Sequence, residues 1–294
     1  MVKSPTAQIP GVYHVRIGDI VVTALSDGHV ERTPEMLRDI TIEDAERLLA
    51  DAFRPGIVIS VNAFLIYSAG RLALVDTGSG NYLGPTAGKL LQNLAAAGVA
   101  AADIDTVLLT HMHPDHSAGL TDMTTGKPNF PEAEVVVHEN EPRHWDDDAA
   151  MARGTEREKK LFFQAAREQI APYRDRMRVF NKSEDVFPGV SAIPATGHTP
   201  GHTPYLIASG KEQLLIWGDT VHVPEVQVAR PDVTVNVDSD PPAAAASRKR
   251  ILDRAATDRL LVTGMHVHFP GFSHVTRARN GGFALVPQAW CTVL

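Results

Sequence analysis

Cysteine is nearly absent from this chain. Cys291 stands alone among 294 residues, so no disulfide can form within the chain and no metal site can rest on thiolates. A thiol-poor chain suits a reducing compartment. Long apolar runs are missing as well: none approaches the ~18 residues of a membrane-spanning helix. The stretch Met1-Val2-Lys3-Ser4-Pro5-Thr6-Ala7-Gln8-Ile9-Pro10 lacks the apolar centre of a secretory signal. A cytoplasmic protein without a membrane partner is therefore expected. Positive charge is also in short supply. The 28 Lys and Arg face 35 Asp and Glu, for a formal net charge of −7 and a pI of about 6.0. Binding phosphate backbones calls for a basic face, so nucleic acid is not an expected partner. No nucleophile elbow and no Gly-rich phosphate loop with Lys is present.

What is there is histidine, and it is clustered. His111, His113, Asp115 and His116 fall within six positions, directly after the apolar run Thr106-Val107-Leu108-Leu109. That run reads as a buried strand, with the cluster as the loop at its end and Ser117-Ala118-Gly119-Leu120 opening a helix. Imidazole and carboxylate are good donors for Zn²⁺ and related divalent ions. His111 and His113, two apart, point the same way from an extended segment. Asp115 and His116 follow the bend at Pro114 and face a second position. Four donors in so short a stretch are too many for one ion if others arrive from elsewhere, so the spacing implies two.

The rest of the chain alternates strands with single helices. Val12–Ile17 and Ile20–Leu25 read as a hairpin around Gly18-Asp19. Thr41 and Asp44 cap a helix that turns Ile42, Ala45, Leu48, Leu49 and Ala52 to one face. Val58–Tyr67 and Leu72–Val75 are strands, the second ending in Asp76. Pro85–Ala97 reads as a helix with Leu90, Leu91 and Leu94 inward and Gly98 as its stop. Glu134–His138 is a strand. The segment from Thr155 to Ile170 is a helix with a Thr155/Glu158 capping box and a buried stripe of Leu161, Phe162 and Ala165. Val186–Ile193 is a strand leading into Ala195-Thr196-Gly197-His198. Tyr205–Ala208 and Leu214–Trp217 follow, the latter ending in Gly218-Asp219. Asp240 starts a helix that buries Ile251, Leu252 and Ala255. Leu260–Thr263 is a strand ending at Met265-His266, and Phe283–Val286 is one more. Polar residues at strand ends and helices outside sheets indicate an α/β (α+β) class. With 44% hydrophobic residues and no linker or repeat, one domain over residues 1–294 is expected.

Seven of these strand-end residues suffice for two ions. His111, His113 and His198 are assigned to one, Asp115, His116 and His266 to the other, with Asp219 as the bridge. Two dications against two carboxylates leave room for a shared hydroxide, and bound metals lower the pKa of water to about 7. Metal-assisted hydrolysis is the reaction class, with Asp115 and Asp219 at its centre. Asp76, at a strand end beside small residues, reads either as a carboxylate supporting the ligands from behind or as a simple Asx-turn residue.

Five motifs in order carry a resemblance over nearly the whole chain: Val75-Asp76-Thr77-Gly78, the His111 to His116 cluster, Gly197-His198, Gly218-Asp219 and Met265-His266. They resemble the metallo-β-lactamase superfamily. That resemblance implies an αββα sandwich, two mixed sheets with helices on the outer faces and the site at one edge. Asp219 stands where the best-known β-lactamases have Cys, and His113 where flavodiiron proteins have Glu. Gly197-His198-Thr199-Pro200-Gly201-His202-Thr203, Gly218-Asp219-Thr220-Val221-His222 and the run from His266 to His274 resemble methyl parathion hydrolase-like enzymes and their neighbours, the N-acyl-homoserine lactone lactonases. The resemblance implies a homodimer acting on small lactones or esters, with phosphotriesters as a side activity. Zinc is the expected metal, though Mn, Co and Fe suit the same donors. His222 stands where a lactonase branch has Tyr, which makes it a candidate proton donor or substrate contact. The same motifs favour His266 over His268 as the last ligand. His202 and His274 are expected behind the ligands, and Trp145, Phe162, Phe163 and His268 as candidate pocket lining. His14, His29, His138 and His144 read as surface or satisfied core residues. The rival readings are a dedicated organophosphate or aryl ester hydrolase, a thioesterase of the glyoxalase II type, and a non-catalytic binding module on the same fold.

Overall fold

Strand alternation organises the molecule. The computed structural model describes residues 3–279 and 281–294. Its first large sheet contains β1 (Val12–Ile17), β2 (Ile20–Arg32), β3 (Ile57–Ser68), β4 (Arg71–Val75), β5 (Thr106–Leu108), β6 (Glu134–His138) and β7 (Met177–Phe180), lying side by side in that order. The second contains β8 (Glu184–Phe187), β9 (Val190–Ala192), β10 (Tyr205–Ser209), β11 (Glu212–Ile216), β12 (Leu261–Thr263), β13 (Ser273–Arg277) and β14 (Phe283–Pro287), again in chain order. Both are mixed. β4, β5, β6 and β7 run parallel, as do β11 and β12, and the other neighbours are antiparallel.

The inner faces meet. Val22, Phe64, Ile66, Val75 and Leu108 of the first sheet pack with Val190, Tyr205, Ile207 and Ile216 of the second. The alternate residues face outward and are covered by helices. Leu65, Leu74, Val107 and Val135 lie under Leu90, Leu94 and Ile170, and Leu206, Leu215 and Val262 under Ile251, Leu252 and Ala255. Parallel strands covered on both faces have no polar face to spare, which is why β5 and β6 read as continuous apolar runs. This is the expected αββα sandwich. Phe64 is fully buried at its centre, and truncating it to Ala would cost about 3–5 kcal/mol. Among the described residues no helix is long and apolar enough to cross a membrane.

Several elements differ from the sequence expectation for physical reasons. The helix expected over Pro85–Ala97 spans only Leu90–Ala96. The buried carboxylate of Asp27 accepts from the amides of Ser79, Gly88 and Leu90 and so holds the preceding segment as a loop. Leu91 is 45% exposed rather than inward. The cluster helix spans Pro114–Ser117 and so stops at the residue expected to open one. There Gly119 passes the Thr77 carbonyl too closely to carry a Cβ. The Thr155/Glu158 capping box is present. The helix then widens to a π-turn over Lys159–Gln164, which turns Phe163 inward and leaves Leu161 and Phe162 half-buried. The strand expected over Val186–Ile193 is a hairpin of β8 and β9 about Gly189, at φ +72°. β13 begins at the end of the stretch read only as a motif and runs on to Arg277.

Candidate metal centre

The polar residues gather where strands of both sheets end. β5 delivers His111, His113, Asp115 and His116. The loop between β9 and β10 brings His198, the end of β11 Asp219 and His222, and the end of β12 His266. All seven nominated ligands come together. His198 Nε2 lies 3.2 Å from His111 Nε2 and 3.0 Å from His113 Nδ1. Asp219 Oδ2 is 3.7 Å from His111 Nε2 and 3.2 Å from His198 Nε2. On the other side Asp115 Oδ2 is 3.6 Å from His116 Nε2 and 3.4 Å from His266 Nε2. Asp219 reaches this group too, with Oδ1 3.2 Å from His116 Nε2 and Oδ2 3.2 Å from His266 Nε2.

Hydrogen bonds behind the rings fix which nitrogen faces inward. Nδ1–H of His116 donates to Asp76 Oδ2 at 2.7 Å, that of His198 to Asp238 Oδ1 at 2.8 Å, and that of His266 to the Ser60 carbonyl at 2.8 Å. Thr110 Oγ1 gives its proton to Asp76 and so accepts from His111 Nδ1, 3.1 Å away. Each of these four rings therefore turns Nε2 into the centre, where the neutral ring offers a lone pair. Lone pairs so placed repel unless positive charge, a proton or a metal ion, lies among them. Four bonds of 2.0–2.1 Å arranged tetrahedrally would set donors about 3.3 Å apart, close to the spacings found. His116 Nε2 and Asp219 Oδ1 are buried without a hydrogen-bond partner. The His/Asp cluster thus fits divalent metal ions.

The electrostatics agree. Burial and the neighbouring imidazoles push His111 and His113 well below the usual imidazole pKa, which leaves both neutral donors. Burial opposes charge on His116, yet Asp219, Asp115 and Asp76 outweigh it and hold the ring well above its ordinary value. Burial likewise opposes charge on His198, but the bonds to Asp219 and Asp238 raise it to about 9. The carboxylates ask for positive charge that water cannot bring to so enclosed a place.

The supporting residues divide. Asp76 lies behind His116 as expected and is fully buried. It sits at φ +58°, a conformation that Asp tolerates better than most residues. His202 accepts from the Asp219 amide through Nε2 at 2.9 Å and donates from Nδ1 to the Ala195 carbonyl at 3.1 Å, so both its nitrogens are used. His274 is a correction. It is exposed on β13 and bonds to the Leu260 carbonyl at 3.1 Å, because the register pairs it with Leu261 at the start of β12, the end of that strand away from His266. His222 lies on the floor, with Nε2 3.0 Å from Asp219 Oδ2.

Above this floor opens a cleft of about 260 Å³. Its walls include Val30, Ile59, Leu161, Phe162 and Val237, and His113, Asp115, Asp219, His222 and His266 line its base. Phe162 lines the cleft as nominated. Trp145 and Phe163 line a smaller hollow beside it that shares His113 and Phe162. His268 is a second correction. Its Nε2 donates to Glu225 Oε1 at 2.6 Å in a different groove, because the chain turns through Gly264–Gly271 and sends His266 and His268 to opposite sides. Sequence reasoning missed Asp238 behind His198. It also missed Arg248, whose buried guanidinium holds the carbonyls of Thr220 and Val233, each at 2.7 Å, and so fixes the segment after Asp219.

The comparisons with known proteins agree with this architecture. A solved hydrolase of the β-lactamase superfamily, AbOPH, is 31% identical over 97% of this chain and all of its own, with a TM-score of 0.91. A dizinc quorum-quenching lactonase, AidC, solved with a product, N-hexanoyl-L-homoserine, is 26% identical over 96% of this chain and 99% of its own, with a TM-score of 0.89. A ribonuclease Z of Mycobacterium marinum is 44% identical over 59 residues, which span 20% of this chain and only 18% of that curated relative. The model of the metallo-beta-lactamase superfamily matches residues 56–275, a segment that carries all seven nominated ligands. This chain belongs to the metallo-β-lactamase superfamily and is one of its hydrolases.

Proposed function

We propose that the centre binds two divalent ions, Zn²⁺ foremost, and that the chain opens lactones of the N-acyl homoserine type or cleaves related carboxylic esters. One observation carries this reading. Asp219 is buried at the base of an apolar-walled cleft and lies within 3.7 Å of histidine nitrogens from both groups. The likeness to a lactonase at 26% identity supports the substrate class.

His111, His113 and His198 would hold one ion, Asp115, His116 and His266 the other, and Asp219 would bridge. Bound divalent ions supply an activated water and a Lewis acid for the carbonyl oxygen. The chain's own residues do the rest. Leu161, Phe162, Ile59 and Val237 receive an acyl chain and exclude water from the floor. Asp76, Asp238 and the Ser60 carbonyl hold three imidazoles in the orientation that keeps Nε2 inward. His222, kept neutral by burial, offers a ring N–H as a hydrogen bond to the alcohol oxygen as the ester bond breaks, the proton that oxygen takes up coming from the attacking water.

The test sets an N-acyl homoserine lactone beside an aryl phosphotriester on one metal-loaded preparation. A lactone kcat/KM of roughly 10⁴ M⁻¹s⁻¹ or more, with a far weaker phosphotriester value, is expected. The reverse order would move the function to phosphotriesters, and hydrolysis of neither would overturn the reading.

A further inference from the structure

Glu141 belongs to none of the motifs above, yet it is fully buried beside the centre. Both of its oxygens are used twice. Oε2 accepts from the Met112 amide at 2.9 Å and from the Trp145 indole Nε1 at 2.8 Å. Oε1 accepts from Thr199 Oγ1 at 2.5 Å and from the Gly201 amide at 2.8 Å. Met112 stands between His111 and His113, and Thr199 directly follows His198. One carboxylate therefore joins two loops that are 87 residues apart at His111 and His198.

Neighbouring contacts serve the same junction. Asn140 Nδ2 donates to the Pro200 carbonyl at 3.1 Å. Trp145, anchored by its indole bond, has its ring centroid 5.5 Å from that of His113. At Gly201 a Cβ would stand 2.9 Å from Glu141 Cγ, so a side chain there would push the carboxylate away. None of the four donors belongs to the loops carrying Asp219 or His266, and none is a side chain of the Asp115/His116 pair.

We propose that Glu141 is the positioning residue of the three-histidine half of the centre, setting how tightly His111, His113 and His198 hold their ion. The proposal rests on the two-ion reading given above. All four partners donate, so both oxygens must accept. A carboxylate does this. A carboxamide of nearly equal volume cannot, because its NH₂ would meet a donor-only N–H whichever way it turned, that of Gly201 on one side or those of Met112 and Trp145 on the other. Glu141→Gln therefore breaks the junction with little change in packing.

The experiment uses the full chain, stripped of metal and reloaded with Zn²⁺, with bound zinc per chain followed against a competing chelator. Wild type should hold two ions. In Glu141→Gln one of them should bind about 10–100-fold more weakly, the range found when a partner behind a ligand is removed, while the other is unchanged. Asp76→Asn, which alters the partner of His116 directly and reaches His111 only through Thr110, should weaken the other ion more, and the double variant both. Thr199→Val, which deletes a single donor, should shift the same ion as Glu141→Gln by less, and it decides the matter if Glu141→Gln fails to fold. Unchanged affinity for both ions overturns the proposal. So does equal weakening of both together with a lower Tm of the metal-free protein, the mark of a purely structural role. A wild-type chain that takes up no Zn²⁺ would instead overturn the two-ion reading itself, and the proposal with it.

Discussion

His266 and His268 lie two residues apart on one loop and enter two different hollows. His266 faces the cleft of about 260 Å³ above the centre, whereas His268 lines a larger groove of about 560 Å³ with Arg54, Glu225 and Phe272. The groove is the larger and has the more apolar lining, yet its polar groups are content. His268 Nε2 donates to Glu225 Oε1 at 2.6 Å, and Arg54 Nε donates to the same oxygen at 2.9 Å. Burial opposes charge on Glu225, but His268 and Arg54 hold it below the usual carboxylate range. In the cleft the opposite holds. Imidazole nitrogens and carboxylate oxygens converge on one another, and His116 Nε2 and Asp219 Oδ1 have no hydrogen-bond partner. The size of a hollow does not mark the reactive one. Buried polar atoms left unpaired do, because an uncompensated buried group costs several kcal/mol unless something binds there.

Substitutions on the two sides should therefore behave unlike one another. The largest effect is expected at the shared carboxylate. Asp219→Ala should release both ions and lower kcat/KM by more than the roughly 100-fold that loss of a supporting partner brings, read by metal content and lactone turnover. Asp76→Asn comes next. Its amide would meet Thr110 or the His116 ring as a second donor, and metal affinity should fall about 10–100-fold. Leu161→Ala removes cleft wall without touching a nominated ligand. It should raise KM for long acyl chains by roughly 5-fold, about 1 kcal/mol of apolar contact, with kcat nearly unchanged. The smallest effect belongs to the groove. His268→Ala should leave kcat/KM within about twofold and lower stability by no more than about 1 kcal/mol in a denaturant titration. A tenfold loss of activity in that variant would erase the contrast between the two hollows.

The same contrast separates what is legible in the amino-acid sequence from what only the folded chain brings together. The strand ends and the ligand cluster are legible because their signals are local. Apolar alternation locates β1 and a continuous apolar run locates β6 to the residue, and four donors crowd into His111 to His116. Asp76, His198, Asp219 and His266 each follow an apolar strand that announces its own end. Glu141 and Asp238 carry no such signal. The partners that tie them to the centre, the Met112 and Gly201 amides and His198 Nδ1, lie tens of residues away, joined only by the folded loops. His268 and His274 mislead because a motif fixes which residues recur and leaves open the direction each side chain takes. Pairing with Leu261 sets His274 at the end of β12 away from His266, and the turn after His266 sends His268 into the groove. The helix expected from Pro85 fails for a related reason. Asp27, far upstream, captures the amides of Gly88 and Leu90 that such a helix would have used.

The central claim is that the convergent donors hold two ions and that hydrolysis depends on them. Adding Zn²⁺ stepwise to the metal-free protein, while following lactone opening, tests this most directly. Activity should be absent at the start and rise to a plateau at two equivalents per chain. Full activity in metal-free protein, or a plateau reached with no zinc bound, would contradict it.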